Sequence, residues 1–214
     1  MGVLAISNLI PTYFKENKKN SSDVWGKEIE VAKGNLIKIV APSGTGKTSL
    51  IHFLYRLRSD YSGSIRYNKK NLKDFSQEDI AQLRKNEVSV ILQDMRLFNE
   101  QTILQNLEIK RQLNPYHPKE KIIEMAKRLG IDHRLEALAG KCSYGEQQRA
   151  VIIRALLQPF NLLLMDEPFS HLDDVNAKKA MELVLEEAQQ RNAAVIFAEL
   201  ERVDYYPATK LFHM

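Results

Sequence analysis

The chain has 214 residues, enough to bury a sizeable core in one domain with an inserted lobe. Hydrophobic residues make up 44% and charged residues 27%, the balance of an ordinary globular fold, and a net charge of +4 is too mild to require a nucleic-acid partner. A single cysteine, Cys142, excludes an internal disulfide framework, and no apolar run approaches the roughly 20 residues that span a bilayer. If this chain serves a membrane, it does so through another chain.

In chain order, the N-terminal MGVLAISNLIP reads as an edge strand rather than a signal peptide, because its short apolar stretch is followed, not preceded, by lysines. Leu36 to Ala41 is a β-branched run that ends in Pro-Ser-Gly-Thr-Gly, and a helix is predicted to start near Lys47. Val88 to Leu92 reads as a short strand. From Thr102 to Leu138 the apolar residues Ile103, Leu107, Ile122, Ile123, Ala126 and Leu129 recur at helical spacing, and Asn114-Pro115 and His117-Pro118 break the stretch into at least two helices. Glu146 to Leu157 is a further helix, Leu162 to Met165 a buried strand, and Val175 to Arg191 a long amphipathic helix. Ala194 to Phe197 is a strand, with a last one around Leu211. Strands alternating with helices predict an α/β layer architecture in one domain, 1–214, with the helical middle inserted into it.

Two motifs carry chemistry. Ala41-Pro-Ser-Gly-Thr-Gly-Lys-Thr-Ser49 lies between a predicted strand and a predicted helix. In that context Ser43, Gly44, Thr45, Gly46 and Ser49 form a P-loop whose backbone N–H groups cradle phosphate at a helix N-terminus. Lys47 would reach the β- and γ-phosphates and Thr48 would offer its hydroxyl to Mg²⁺. Ala41 stands where the strict pattern has its first glycine, which is tolerable if the backbone there needs no positive φ. Leu162-Leu-Leu-Met-Asp-Glu-Pro168 then sets two carboxylates at the end of an apolar strand, where open parallel sheets bind ligands. Asp166 suits Mg²⁺, and Glu167 suits a general base acting on water.

Between them, Cys142-Ser-Tyr-Gly-Glu-Gln-Gln-Arg149 resembles the signature of the ATP-binding cassette (ABC) family, which usually reads LSGGQ or LSGGEQQR. The resemblance extends over nearly the whole chain. Val90 to Phe98 is similar to the family's Q-loop, with Gln93 sensing the metal and the lytic water. Phe169-Ser-His-Leu-Asp173 is similar to the D-loop that crosses the dimer interface. Gly63-Ser-Ile-Arg-Tyr resembles the family's early hairpin, and Arg154-Ala-Leu follows the signature helix as in family members. Tyr13 aligns with the aromatic that stacks on adenine, with Phe14 and Trp25 as alternatives.

The resemblance implies a P-loop NTPase with a RecA-like, mostly parallel sheet and an N-terminal antiparallel β region. The core would be about 1–94 and 156–214, with an α-helical subdomain at about 95–155. It implies ATP and Mg²⁺, with Thr48, Gln93 and Asp166 at the metal, and hydrolysis in a dimer of two copies. There Ser143, Gly145 and Glu146 of one copy would meet the γ-phosphate held by the other. It also implies a membrane-spanning permease as partner, a cytoplasmic position beneath the inner membrane, and no nucleic acid. Lipoprotein-release and macrolide-export cassettes are the most similar subgroup. Tyr144 and Cys142 depart mildly from the signature. Glu199 stands where the family has a switch histidine, a third catalytic position, and a carboxylate opposes a triphosphate. Slow turnover, or a nucleotide-gated regulatory subunit with little hydrolysis, is the alternative this substitution raises.

Overall fold

A computed structural model describes residues 2–14, 22–200 and 208–214. Its antiparallel sheet has the order β2-β1-β4-β5, built from β1 (Gly2–Pro11), β2 (Glu28–Ala32), β4 (Tyr61–Tyr67) and β5 (Lys70–Asn71). The N-terminal strand is not an edge. Ile6 pairs with Ile29 on one side and Ile65 on the other, and alternate apolar side chains of β1 are buried. The register slips between Ser7 and Ile10, where Asn8 takes φ 50° and presses on Gly63. A Cβ on Gly63 would lie 2.2 Å from the Asn8 carbonyl oxygen, so only glycine fits. The hairpin from β4 to β5 turns at Asn68 and Lys69, both with positive φ, as a two-residue turn requires.

The second sheet is parallel throughout, in the order β6-β7-β8-β3-β9. Its strands are β3 (Leu36–Val40), β6 (Val88–Ile91), β7 (Leu162–Asp166), β8 (Ala194–Glu199) and β9 (Lys210–His213). Both faces of the central strands are covered, which is why β7 and β8 are apolar without alternation. The strand period of two still sorts their side chains. Leu162, Leu164, Ile196 and Ala198 join a core with α1 (Lys47–Leu54) and the antiparallel sheet. Leu163, Met165, Val195 and Phe197 join a core with the helices of the inserted middle and the long helix over 174–191. Truncating Phe197 to alanine would cost about 3–5 kcal/mol by the transfer and cavity terms.

The helical middle is α3 (Ile103–Leu113), α4 (Glu120–Arg128) and α5 (Tyr144–Leu156), followed by α6 (Asp174–Arg191) after β7. α3 starts at a Thr102–Gln105 capping box and stops before Asn114-Pro115. α5 begins two residues ahead of the expected Glu146 because Ser143 caps it. An additional helix, α2 (Gln77–Asn86), has a Ser76–Asp79 capping box but only two buried residues, too few for periodicity to reveal. Behind the insertion, buried Glu187 and Arg191 of α6 pair with each other, and Glu187 meets His117 Nε2 at 2.7 Å. Burial works against the Glu187 carboxylate, yet the hydrogen bonds from His117 and Arg191 hold its pKa below the usual value. Arg191 also lies 3.9 Å over the Tyr116 ring, so the segment after α3 is fastened to α6.

Candidate active site

The C-terminal ends of β3, β7 and β8 share one edge of the parallel sheet: Val40 pairs with Glu199, and Asp166 with Ala198. The loop from β3 to α1 turns through Gly44 (φ 79°) and Gly46 (φ 104°), and Gly46 is the N-cap of α1. A Cβ on Gly46 would lie 2.9 Å from the Trp25 ring. Trp25 is 2% exposed and its Nε1 donates to the Thr45 carbonyl at 3.1 Å, so it braces the loop from behind. Burial therefore removes Trp25 as a platform for adenine. Thr45 turns its hydroxyl back to the Pro42 carbonyl at 2.7 Å. Ala41 is buried and has no positive φ, which explains why a methyl group is accepted there.

A cavity of about 470 Å³ opens above this loop, lined by Tyr13, Phe14, Ser43, Gly44, Gly46, Lys47, Thr48, Ser49, Gln93, Glu167 and Leu200. Tyr13 is half exposed at its mouth, with its hydroxyl 2.6 Å from Ser49 Oγ and the Arg58 guanidinium 5.1 Å over its ring. Lys47 is 4% exposed; its Nζ donates to the carbonyls of Ala41 (2.7 Å) and Pro42 (3.1 Å) and lies 3.5 Å from Glu167 Oε1. Gln93 Nε2 donates to the other Glu167 oxygen at 3.2 Å. The loop, the lysine, the glutamine and the carboxylate expected from the sequence thus converge.

Asp166 is fully buried, and neither carboxylate oxygen meets a donor at full hydrogen-bonding geometry. Burial, reinforced by the charges of Glu167 and Asp94, pushes its pKa up to about 6 against the pull of the Thr48 hydroxyl and Lys47. A buried carboxylate in this condition calls for a cation. Asp166 lines a second cavity of about 480 Å³ that shares Thr48 and Gln93 with the first and is also lined by Tyr144, Gln147 and His171. Its donors with Thr48 and Gln93 are hard oxygens and fit Mg²⁺ completed by phosphate and water. Glu199 is 7% exposed at the end of β8, where its carbonyl accepts from the Ala41 N–H at 3.1 Å. It is the next residue, Leu200, that lines the cavity. Leu200 at the cavity and Arg58 over the Tyr13 ring belong to no motif, so nothing in the sequence marks them.

The signature residues lie elsewhere in the chain. Ser143 caps α5, with its Oγ accepting from the Glu146 N–H at 3.3 Å. Glu146 accepts from the Ser143 N–H at 2.8 Å and from Arg134 Nε at 2.8 Å. Its carboxylate stays below the usual range despite burial, because these donors favour the charge. Glu146 therefore shapes the helix start rather than facing outward. A Cβ on Gly145 would lie 3.1 Å from the His171 carbonyl oxygen, and Tyr144, 70% exposed, stacks on the His171 ring at 5.4 Å. Ser143, Gly145 and Glu146 do not line the cavity of their own P-loop.

The ABC transporter family matches residues 26–170, more than half of the chain. The chain belongs to the ABC transporter family. It is 33% identical to the lipoprotein-releasing system ATP-binding protein LolD of Legionella pneumophila (strain Lens), over 80% of this chain and 77% of that protein. An uncharacterized ABC transporter ATP-binding protein of Bacillus subtilis (strain 168), YvcR, is 30% identical over 92% of this chain and 77% of its own length. Among solved structures, a bacterial ABC transporter cassette in dimeric form shares the fold at TM-score 0.77 and 19% identity, covering 92% of this chain and 88% of that one. This cassette is an ATP-binding and ATP-hydrolysing subunit that energises a membrane transport complex. No described helix is long and apolar enough to cross a membrane.

Proposed function

We propose that the cassette hydrolyses ATP at two composite sites, each made of the P-loop of one copy and the α5 N-terminus of the other. One observation carries this reading. Within one chain the P-loop cavity has its loop, the Lys47 ammonium and the Glu167 carboxylate, whereas Ser143, Gly145 and Glu146, at the capped start of α5, do not line it. Tyr13 stacks on adenine and the amides from Ser43 to Ser49 hold the phosphates. Lys47 leaves its loop carbonyls for the β- and γ-phosphate oxygens. Ser143 and the amides around Gly145 of the second copy meet the γ-phosphate. Thr48 and Asp166, with Gln93 alongside, would hold Mg²⁺, which would supply charge neutralisation for the phosphate chain.

Glu167 accepts a proton as water forms a bond to the γ-phosphorus and the bond to the β,γ-bridging oxygen breaks. Gln93, already hydrogen-bonded to that carboxylate, aligns the water. General-base participation of this kind contributes about 10²–10⁴ in rate. Loss of the γ-phosphate removes the bridge to the second copy, and the pair opens. β8 delivers Glu199 and Leu200 in place of a donor side chain, which favours slow turnover.

The membrane partner docks beside the Q-loop. A groove there has Leu92, Met95 and Phe98 among apolar side chains and Arg84, Lys110, Arg154 and Arg96, which pairs with Asp94 at 2.8 Å, among its walls, with no carboxylate among the described residues that line it. Burial, together with the charges of Arg154 and Arg84, lowers the pKa of Lys110 to about 8. Those charges complement a cytoplasmic segment that carries apolar side chains and a carboxylate. The placement is peripheral to the cytoplasmic membrane, and the relative named for lipoprotein release makes an export or release complex the best-supported setting.

Mixing two inactive variants tests the composite site. Lys47→Ala and Ser143→Arg copies each lack part of both sites, but their heterodimer holds one intact site. The expected outcome is recovery of ATPase on mixing; two silent variants that stay silent together would argue for sites complete within one chain.

A further inference from the structure

Glu167 occupies the left-handed region at φ 46°, a conformation that costs a residue with a side chain free energy unless its surroundings enforce it. Its N–H donates to the Ala198 carbonyl on β8 at 2.9 Å. Its carbonyl accepts from Nε2 of Gln148, 3.3 Å away, a side chain of α5 that is only 3% exposed. The same amide uses its oxygen to accept the His171 N–H at 2.9 Å. The orientation of the amide is fixed by this pair, since an N–H at one end demands the oxygen and a carbonyl at the other demands the nitrogen.

We propose that Gln148 is a positioning residue for hydrolysis: its amide holds the Glu167 peptide so that the carboxylate points into the phosphate cavity. This deepens, and rests on, the reading of Glu167 as the base. Gln148 lies on the helix that Ser143 caps, and Gly145 packs against the His171 carbonyl in the same contact. The element that meets the second copy's phosphate therefore also grips the peptide of its own base. Movement of α5 on closure is delivered to Glu167 through one buried amide.

Two variants separate this role from mere packing. Gln148→Met keeps the volume and loses both bonds; Gln148→Glu keeps an acceptor for His171 and loses the donor to Glu167 while ionised. In steady-state ATPase, Gln148→Met lowers kcat about tenfold or more with KM and ATP affinity close to the parent. In Gln148→Glu, burial raises the pKa of the introduced carboxyl, and its protonated form can donate again. Its rate relative to the parent therefore rises as pH falls from about 8.5 to 6.5. Parental kcat in Gln148→Met, or a loss of kcat that merely accompanies lost ATP affinity, overturns the proposal. So does a Gln148→Glu rate ratio that is flat with pH. If Glu167→Gln leaves the parent rate unchanged, it is the assignment of the base that fails, and this inference with it.

Discussion

The phosphate loop and the start of α5 both offer helix N-terminal amides to an anion, but they are built in opposite ways. The loop is finished by its own chain: a buried lysine, two left-handed glycines, a tryptophan brace and a carboxylate 3.5 Å from the lysine. The α5 start satisfies itself through a capping box, is held by Arg134, and leaves Ser143 and Tyr144 exposed. A site that carries its own cation and carboxylate can bind nucleotide alone. A capped, exposed helix start can only complete a site that arrives from outside. On the composite-site proposal, the contrast lets one fold bind ATP in a single copy while hydrolysis depends on two.

The contrast can be broken most strongly at Asp166. Its raised pKa means that the ionised carboxylate works against the nucleotide-free fold. The effect is absent below about pH 4 and complete above about pH 6, so this group lowers stability as pH rises between them. Asp166→Asn should remove that slope and raise stability at pH 7 by about 1–2 kcal/mol, while abolishing the stimulation of ATP binding and hydrolysis by Mg²⁺. Denaturation curves across pH check the first half, and ATP binding and ATPase rates with and without Mg²⁺ check the second. An Asp166→Asn variant that keeps the Mg²⁺ requirement would place the metal elsewhere.

Next in size is the end of β8. Glu199→His should raise kcat several-fold if the missing donor limits turnover, on the order of 1 kcal/mol in barrier. An ATPase no faster than the parent would remove Glu199 as the cause of slow turnover. The smallest effect sharpens the other side of the contrast. Ser143→Ala should cost about 1 kcal/mol of stability through the lost cap. It should lower ATPase while leaving ATP affinity of the single chain unchanged, which equilibrium binding at low protein concentration can measure. Weakened binding in the single chain would mean that the α5 start already touches nucleotide in its own copy.

Much of this site was legible in the sequence because its parts are local. The strand–loop–helix of the P-loop, the carboxylates ending β7 and the cap of α5 each lie within a few consecutive residues, so residue type and spacing specify them. What was hidden depends on convergence of distant segments. β1 reads as an edge until its two partners, β2 and β4, are in place. Trp25 looks like a free aromatic until it is buried behind Thr45 and Gly46. α2 buries too little to show a period, and its start is visible only through its cap. Glu146 looks like a phosphate contact in the motif, yet Arg134 and the Ser143 amide engage it inside its own chain. Gln148 sits inside the signature motif, but its role cannot be read there, because it exists only where α5, the end of β7 and the D-loop meet.

The direct test is the molar mass of Glu167→Gln in solution with saturating ATP and Mg²⁺, measured by light scattering against the nucleotide-free protein. ATP-dependent doubling of the mass, reversed when Ser143→Arg is added to the same chain, is the predicted result. A mass that stays at one copy while ATP is demonstrably bound would contradict the composite site.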